Sequence, residues 1–60
     1  MPEDARREVY FEHATIGRSV KVTAIDSLTA VEVSIVGPAN AAKSDLERVA
    51  LQKLKARLAR

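Results

Sequence analysis

His13 is the one side chain in this 60-residue chain whose ordinary pKa suits acid–base work near neutral pH. As a general base it would need an orienting carboxylate and a nucleophile within reach. The hydroxyl candidates are Ser19, Ser27, Ser34 and Ser44, and none stands in a G-x-S-x-G elbow. Ser44 reads better as a helix cap. Glu8 and Glu12 share one side of a strand with Tyr10 between them, and two carboxylates so placed can take a cation. Ion pairing with Lys21 or Arg7 is the commoner use of such a pair. Two glycines are too few for a phosphate-cradling loop. Cysteine is absent, which removes disulfides and thiolate ligands, and one histidine builds a zinc site only where several carboxylates converge on it. The chain is therefore read as not an enzyme, with no catalytic residue, no metal and no cofactor.

The cations are placed unevenly. Net charge is +2, yet the stretch from Lys53 onward holds Lys53, Lys55, Arg57 and Arg60 with no acidic residue. These four form a candidate basic patch able to neutralise phosphates. Against that reading, cations suit a helix C-terminus and an exposed helix face must be polar. Stacking platforms for bases are also scarce, since Tyr10 and Phe11 are the only aromatic residues and Phe11 is assigned to the core. Nucleic acid is thus possible but not favoured.

The elements that position these groups follow from periodicity. From Arg7 to Ile16, Val9, Phe11 and His13 alternate with Tyr10, Glu12 and Ala14, a strand period. Gly17-Arg18 suits a two-residue type II′ hairpin turn. It sets Ile16 opposite Ser19, Phe11 opposite Ala24 and His13 opposite Val22. The second strand spans Ser19 to Ile25. Asp26-Ser27-Leu28-Thr29 reads as a turn in which Asp and Ser bond to the turn backbone. The third strand spans Ala30 to Val36. A tight turn would pair Ala24 with Val31, and a longer one ending in a left-handed residue at Ala30 would pair Ala24 with Val33. Both keep the same facing. Gly37-Pro38 is read as the end of the strand. Ser44 and Glu47 fit a capping box, although a start near Ala39 to Ala41 is also open. Leu46, Ala50, Leu54 and Leu58 then make one apolar stripe.

The expected fold is α+β, a three-stranded antiparallel β-meander followed by one C-terminal amphipathic helix packed on one sheet face. Residues 1–6 are expected to form a disordered tail and residues 7–60 a single β-β-β-α domain. No apolar run approaches the roughly 20 residues of a membrane span, and the charged start lacks the apolar stretch of a signal peptide. No membrane association and a cytoplasmic location are expected.

A core built from sixty residues rarely supplies more than roughly 3–5 kcal/mol, and small domains usually add a disulfide, a metal or a partner. Oligomerisation is the remedy left. The sheet face turned away from the helix carries Tyr10, Ile16, Ile25 and Val36 among its charges. These four form the candidate interaction surface of a homodimer or of a complex with another protein, through edge pairing or face packing.

The segments Arg7-Glu8-Val9, Val20 to Asp26, Glu32 to Gly37 and Ala50 to Leu54 carry a resemblance to a family of short alphaproteobacterial proteins built on a domain of unknown function. The family often has Gly where this chain has Ala30. The resemblance implies a β-β-β-α fold and a bacterial cytoplasmic setting, and brings no activity, cofactor or site residue. A fainter likeness links three strands and a basic helix to the last half of a double-stranded-RNA-binding domain. That domain also needs a preceding helix and a lysine cluster at the start of its final helix, where this chain has only Lys43.

Overall fold

Alternating apolar residues build three strands, β1 (Val9–Ile16), β2 (Ser19–Asp26) and β3 (Glu32–Pro38), and the apolar stripe builds one helix, α1 (Lys43–Leu58). The computed structural model describes residues 7–59, so the tail expected at residues 1–6 lies outside the described residues. The sheet is antiparallel in the order β1-β2-β3. The helix packs on β2 and β3. The expected α+β meander with one helix on one sheet face is the fold observed.

Both hairpin registers follow from turn chemistry. Ile16 faces Ser19, Phe11 faces Ala24 and His13 faces Val22, as the Gly17-Arg18 turn requires. Gly17 has φ +60° and Arg18 does not share that sign, the pattern of a type II′ turn. In the second hairpin Ala24 faces Val33, so the longer turn is the one formed. Ala30 closes it with φ +63°, a left-handed conformation that costs a non-glycine residue about 1–2 kcal/mol. A glycine at this position would meet no such penalty.

Three expectations are corrected. The strand does not stop before Gly37-Pro38. Pro38 is the last residue of β3, opposite Ser19, on an edge strand where its missing N–H faces away from β2. Gly37 sits on the helix side, and a Cβ there would lie 2.5 Å from Leu46 Cδ2, so the methyl of Leu46 fills that space. The second correction concerns the capping box. The helix begins at Lys43 with Ala42 as N-cap and no side-chain cap, and Ser44 lies inside its first turn. The ladder is already started by the Ala42 carbonyl, which accepts from the N–H groups of Asp45 and Leu46. Asp45 in that turn suits the positive end of the helix dipole. The third correction is that Arg7 pairs with neither Glu8 nor Glu12, but with Asp26.

The core is aliphatic. Val20, Val22 and Ala24 of β2 and Val33 of β3 are buried against Leu46, Ala50 and Leu54. Val9, Phe11, Val31, Ile35, Ala41 and Leu58 pack around them, partly buried. No residue of β1 is fully buried, because α1 packs on β2 and β3 and leaves β1 to one side.

Asp26 is the one carboxylate in this interior, fully buried at the end of β2. Arg7 donates from Nε to its Oδ1 at 2.7 Å and from a terminal nitrogen to Oδ2 at 3.1 Å. Thr29 donates to Oδ2 from its hydroxyl at 2.7 Å and from its backbone N–H at 3.0 Å. The Asp26 backbone closes the same turn, donating to the Val31 carbonyl and accepting from Ala30. Ser27 ties in the residue after Arg7: its N–H donates to the Glu8 carbonyl and its hydroxyl accepts from the Glu8 N–H. One side chain thus joins the start of β1 to the β2–β3 turn. The hydrogen bonds from Arg7, then those from Thr29, hold the Asp26 carboxyl well below the usual carboxylate range.

Two outcomes are expected. Replacing Ala30 with Gly stabilises the domain by about 1 kcal/mol in urea unfolding, since the relief of left-handed strain exceeds the added backbone entropy; a loss of stability would contradict the assigned turn. A carboxyl with a depressed folded pKa contributes stability that is complete above its unfolded value, about 3.9, and is lost as pH falls below it. The unfolding midpoint of the unmodified chain therefore falls as pH drops from about 5, whereas Asp26→Asn is less stable at neutral pH and falls less steeply. Parallel curves for the two chains would show that Asp26 carries no such linkage.

Candidate interaction surface

Four cross-strand rows make up the face of the sheet opposite the helix. Tyr10, Ile25 and Glu32 form the first, Glu12, Thr23 and Ser34 the second, Ala14, Lys21 and Val36 the third, and Ile16, Ser19 and Pro38 the last. The four residues expected on this surface are all here, but they do not form one patch. Tyr10 and Ile25 are neighbours at one end, with Ile25 half-buried. Ile16 on β1 and Val36 on β3 lie towards the other end, on opposite edges. Tyr10 is 53%, Ile16 66% and Val36 69% exposed, so each offers a large apolar surface to solvent.

The middle of the face is polar and internally satisfied. Thr23 and Ser34 share a hydroxyl–hydroxyl hydrogen bond of 2.9 Å across β2 and β3. Glu12 and Lys21 stand exposed around them. Near the first row, a hydrogen bond to the Glu8 carboxylate, and its negative charge, raise the Tyr10 phenol above its ordinary pKa.

The basic patch is divided by the helix. Lys53 and Arg57 lie on the β3 side, around a shallow depression with Val33 and Ala56. Lys55 lies on the β1 side, at a groove it lines with Val9, Leu51 and Leu58. Arg60 lies outside the described residues. Lys53 is also committed: its ammonium donates to the Ser34 carbonyl at 2.8 Å, over the outer edge of β3. The groove beside Lys55 holds about 350 Å³ and is walled by Leu51, Leu54 and Leu58, with the Arg7–Asp26 pair at its floor. Its lining is almost wholly apolar and carries no convergent polar set beyond that pair.

His13 lies on the helix side of β1, opposite Val22, as its parity requires. Its carboxylate partner comes from α1, not from β1: Nε2 lies 3.0 Å from Glu47 Oε2. Sequence spacing does not disclose this pair, because the two residues meet only when the helix docks. Among the described residues no hydroxyl bonds to the imidazole, so the dyad has no nucleophile. Two further ion pairs join described residues, Arg7–Asp26 and the helical Arg48–Asp45. Among the described residues no group of three or more His, Asp and Glu could hold a metal ion, and no helix is long and apolar enough to cross a membrane.

The two sheet edges are unlike. Ile16 and Ser19 flank the two-residue turn and form a hydrogen-bonded pair, so the even-numbered residues of β1 bond to β2. Val9, Phe11, His13 and Thr15 therefore turn their backbone N–H and C=O outward. On β3 the outward residues are Glu32, Ser34 and Val36, with Pro38 at the end. That edge is blunted by a lysine on a carbonyl and by a proline. Among the described residues nothing pairs with the outer edge of β1.

Comparison with known proteins bears on identity and not on activity. No curated protein matches the chain, and no solved structure matches it. The pattern of one family does match, over residues 6–60, which takes in every strand and the whole helix described above. On that match the chain belongs to the family described as Domain of unknown function (DUF6898).

Proposed function

We propose that the chain is a non-enzymatic homodimeric protein-interaction module acting in the cytoplasm. The observation that carries the reading is the pair of unmet sheet surfaces: the helix-free face with exposed Tyr10, Ile16 and Val36, and the outer edge of β1. Size supports it. A 60-residue chain without cysteine has little core to stand on, and association adds buried apolar surface without new elements. The only imidazole is occupied by Glu47 with no hydroxyl beside it, which fits a structural role for His13. The division of the cations between two sides of α1, and the commitment of Lys53 to Ser34, leave the nucleic-acid alternative without a supporting observation.

Sedimentation equilibrium of the full chain at about 100 μM is expected to give the dimer mass. Ile16→Lys should keep the fold, since Ile16 is two-thirds exposed, and should weaken association about tenfold, which is roughly 1.4 kcal/mol. A strictly monomeric mass for the unmodified chain would end the reading.

A further inference from the structure

We propose that β1 is the dimerisation edge, pairing antiparallel with β1 of a second copy so that His13 faces His13 and Tyr10 faces Ile16 across the two-fold axis. The inference rests on the homodimer reading and names its surface and register. Among the described residues only one edge is open to it. Lys53 sits on the Ser34 carbonyl in the middle of β3 and Pro38 ends that strand, whereas the outward N–H and C=O groups of Val9, Phe11, His13 and Thr15 have no element beside them among the described residues. Exposed edge strands are templates for exactly matched chains, and a copy of the same strand is always available at equal concentration.

Symmetry narrows the registers. Antiparallel pairing of identical edges needs a two-fold axis perpendicular to the sheet, so each residue faces one of its own parity and both helices lie on the same side. Centring the axis on Glu12 sets Glu12 against Glu12, like charges directly opposite. Centring it on Phe11 sets Tyr10 against Glu12 and leaves Ile16 beyond the paired region. Centring it on Ala14 sets Ile16 against Glu12. With the axis at His13, Tyr10 faces Ile16, Phe11 faces Thr15 and Glu12 faces Ala14. The two exposed apolar residues of β1 then meet at non-hydrogen-bonded positions, where side chains approach most closely. Ile25, already the partner of Tyr10, extends that row into a continuous apolar cluster at each end of the joint. Each His13 brings Glu47 as its own carboxylate partner, 3.0 Å away.

The joint also explains why β1 lies outside the cover of the helix. α1 crosses β2 and β3 and leaves Phe11 and Val9 half-buried at the margin. In the paired sheet this margin becomes the centre, flanked by the two helices.

The chain lacks cysteine, so single cysteines report the register directly. Under mild oxidation His13→Cys is expected to form a disulfide-linked dimer readily, and Glu12→Cys to do so at least about tenfold more slowly, because its copies lie diagonally beyond disulfide reach. Thr15→Pro deletes an outward N–H that bonds nothing among the described residues. It is expected to give a folded monomer by circular dichroism and sedimentation, while Val36→Pro on the β3 edge leaves the dimer intact. Faster crosslinking at Glu12 than at His13, or a dimer that survives Thr15→Pro, would overturn this edge and register while leaving homodimerisation standing. A monomeric unmodified chain would remove the homodimer reading itself.

Discussion

A sixteen-residue helix has to cover a three-stranded sheet, and it has the width for two strands. The consequences run through the molecule. β2, the central strand, is buried along almost its whole helix-facing side, with Val22 and Ala24 sealed under Ala50 and Leu54. β3 is held next to it, close enough that Gly37 gives its side-chain space to Leu46. β1 is left at the margin, where Phe11 and Val9 are covered on one flank only. The same limit leaves the opposite sheet face without any layer of its own. Each place where this protein departs from a self-sufficient domain traces to that shortage of cover.

What keeps β1 in place despite its thin cover is polar. The Arg7–Asp26 pair, reinforced by Thr29 and by the exchange between Glu8 and Ser27, anchors the start of the strand to the β2–β3 turn. His13 and Glu47 attach its middle to the helix. The buried carboxylate is tolerated because its hydrogen-bond capacity is filled by four donors, and breaking such a set leaves a charge without compensation. Polar fastening and apolar cover thus divide the labour: the apolar cover fixes β2 and β3 to the helix, and the polar contacts fix β1 to both.

Much of this fold was legible in the residues. Alternation in Val9 to Ile16 and Val20 to Ala24, the glycine of the first turn and the stripe of Leu46, Ala50, Leu54 and Leu58 each depend on local spacing, and each element appeared where that spacing placed it. The second turn needed a choice between two pairings of Ala24, and the left-handed Ala30 resolves it. The capping box misled because Ser44 and Glu47 have the right types and separation, yet the helix is entered two residues earlier, at Ala42, and Glu47 is drawn to His13 instead. The partners of Arg7, His13 and Lys53 were not legible, since each lies on a different element and meets its partner only after docking. The candidate surface was legible as a face but not as a shape. Parity assigns Tyr10, Ile16, Ile25 and Val36 to one side; only the register shows them at separate ends, and the Lys53 contact together with the place of Pro38 inside β3 shows that the two edges differ.

The account turns on that difference between edges, and amide hydrogen exchange resolved by residue measures it most directly. The full chain would be followed in dilute and concentrated solution. On this account the N–H groups of Phe11, His13 and Thr15 exchange freely when dilute and become protected as concentration rises, while those of Ser34 and Val36 remain unprotected at both. Concentration-dependent protection along β3 instead, or no change along β1 in a sample shown to be dimeric, would contradict it.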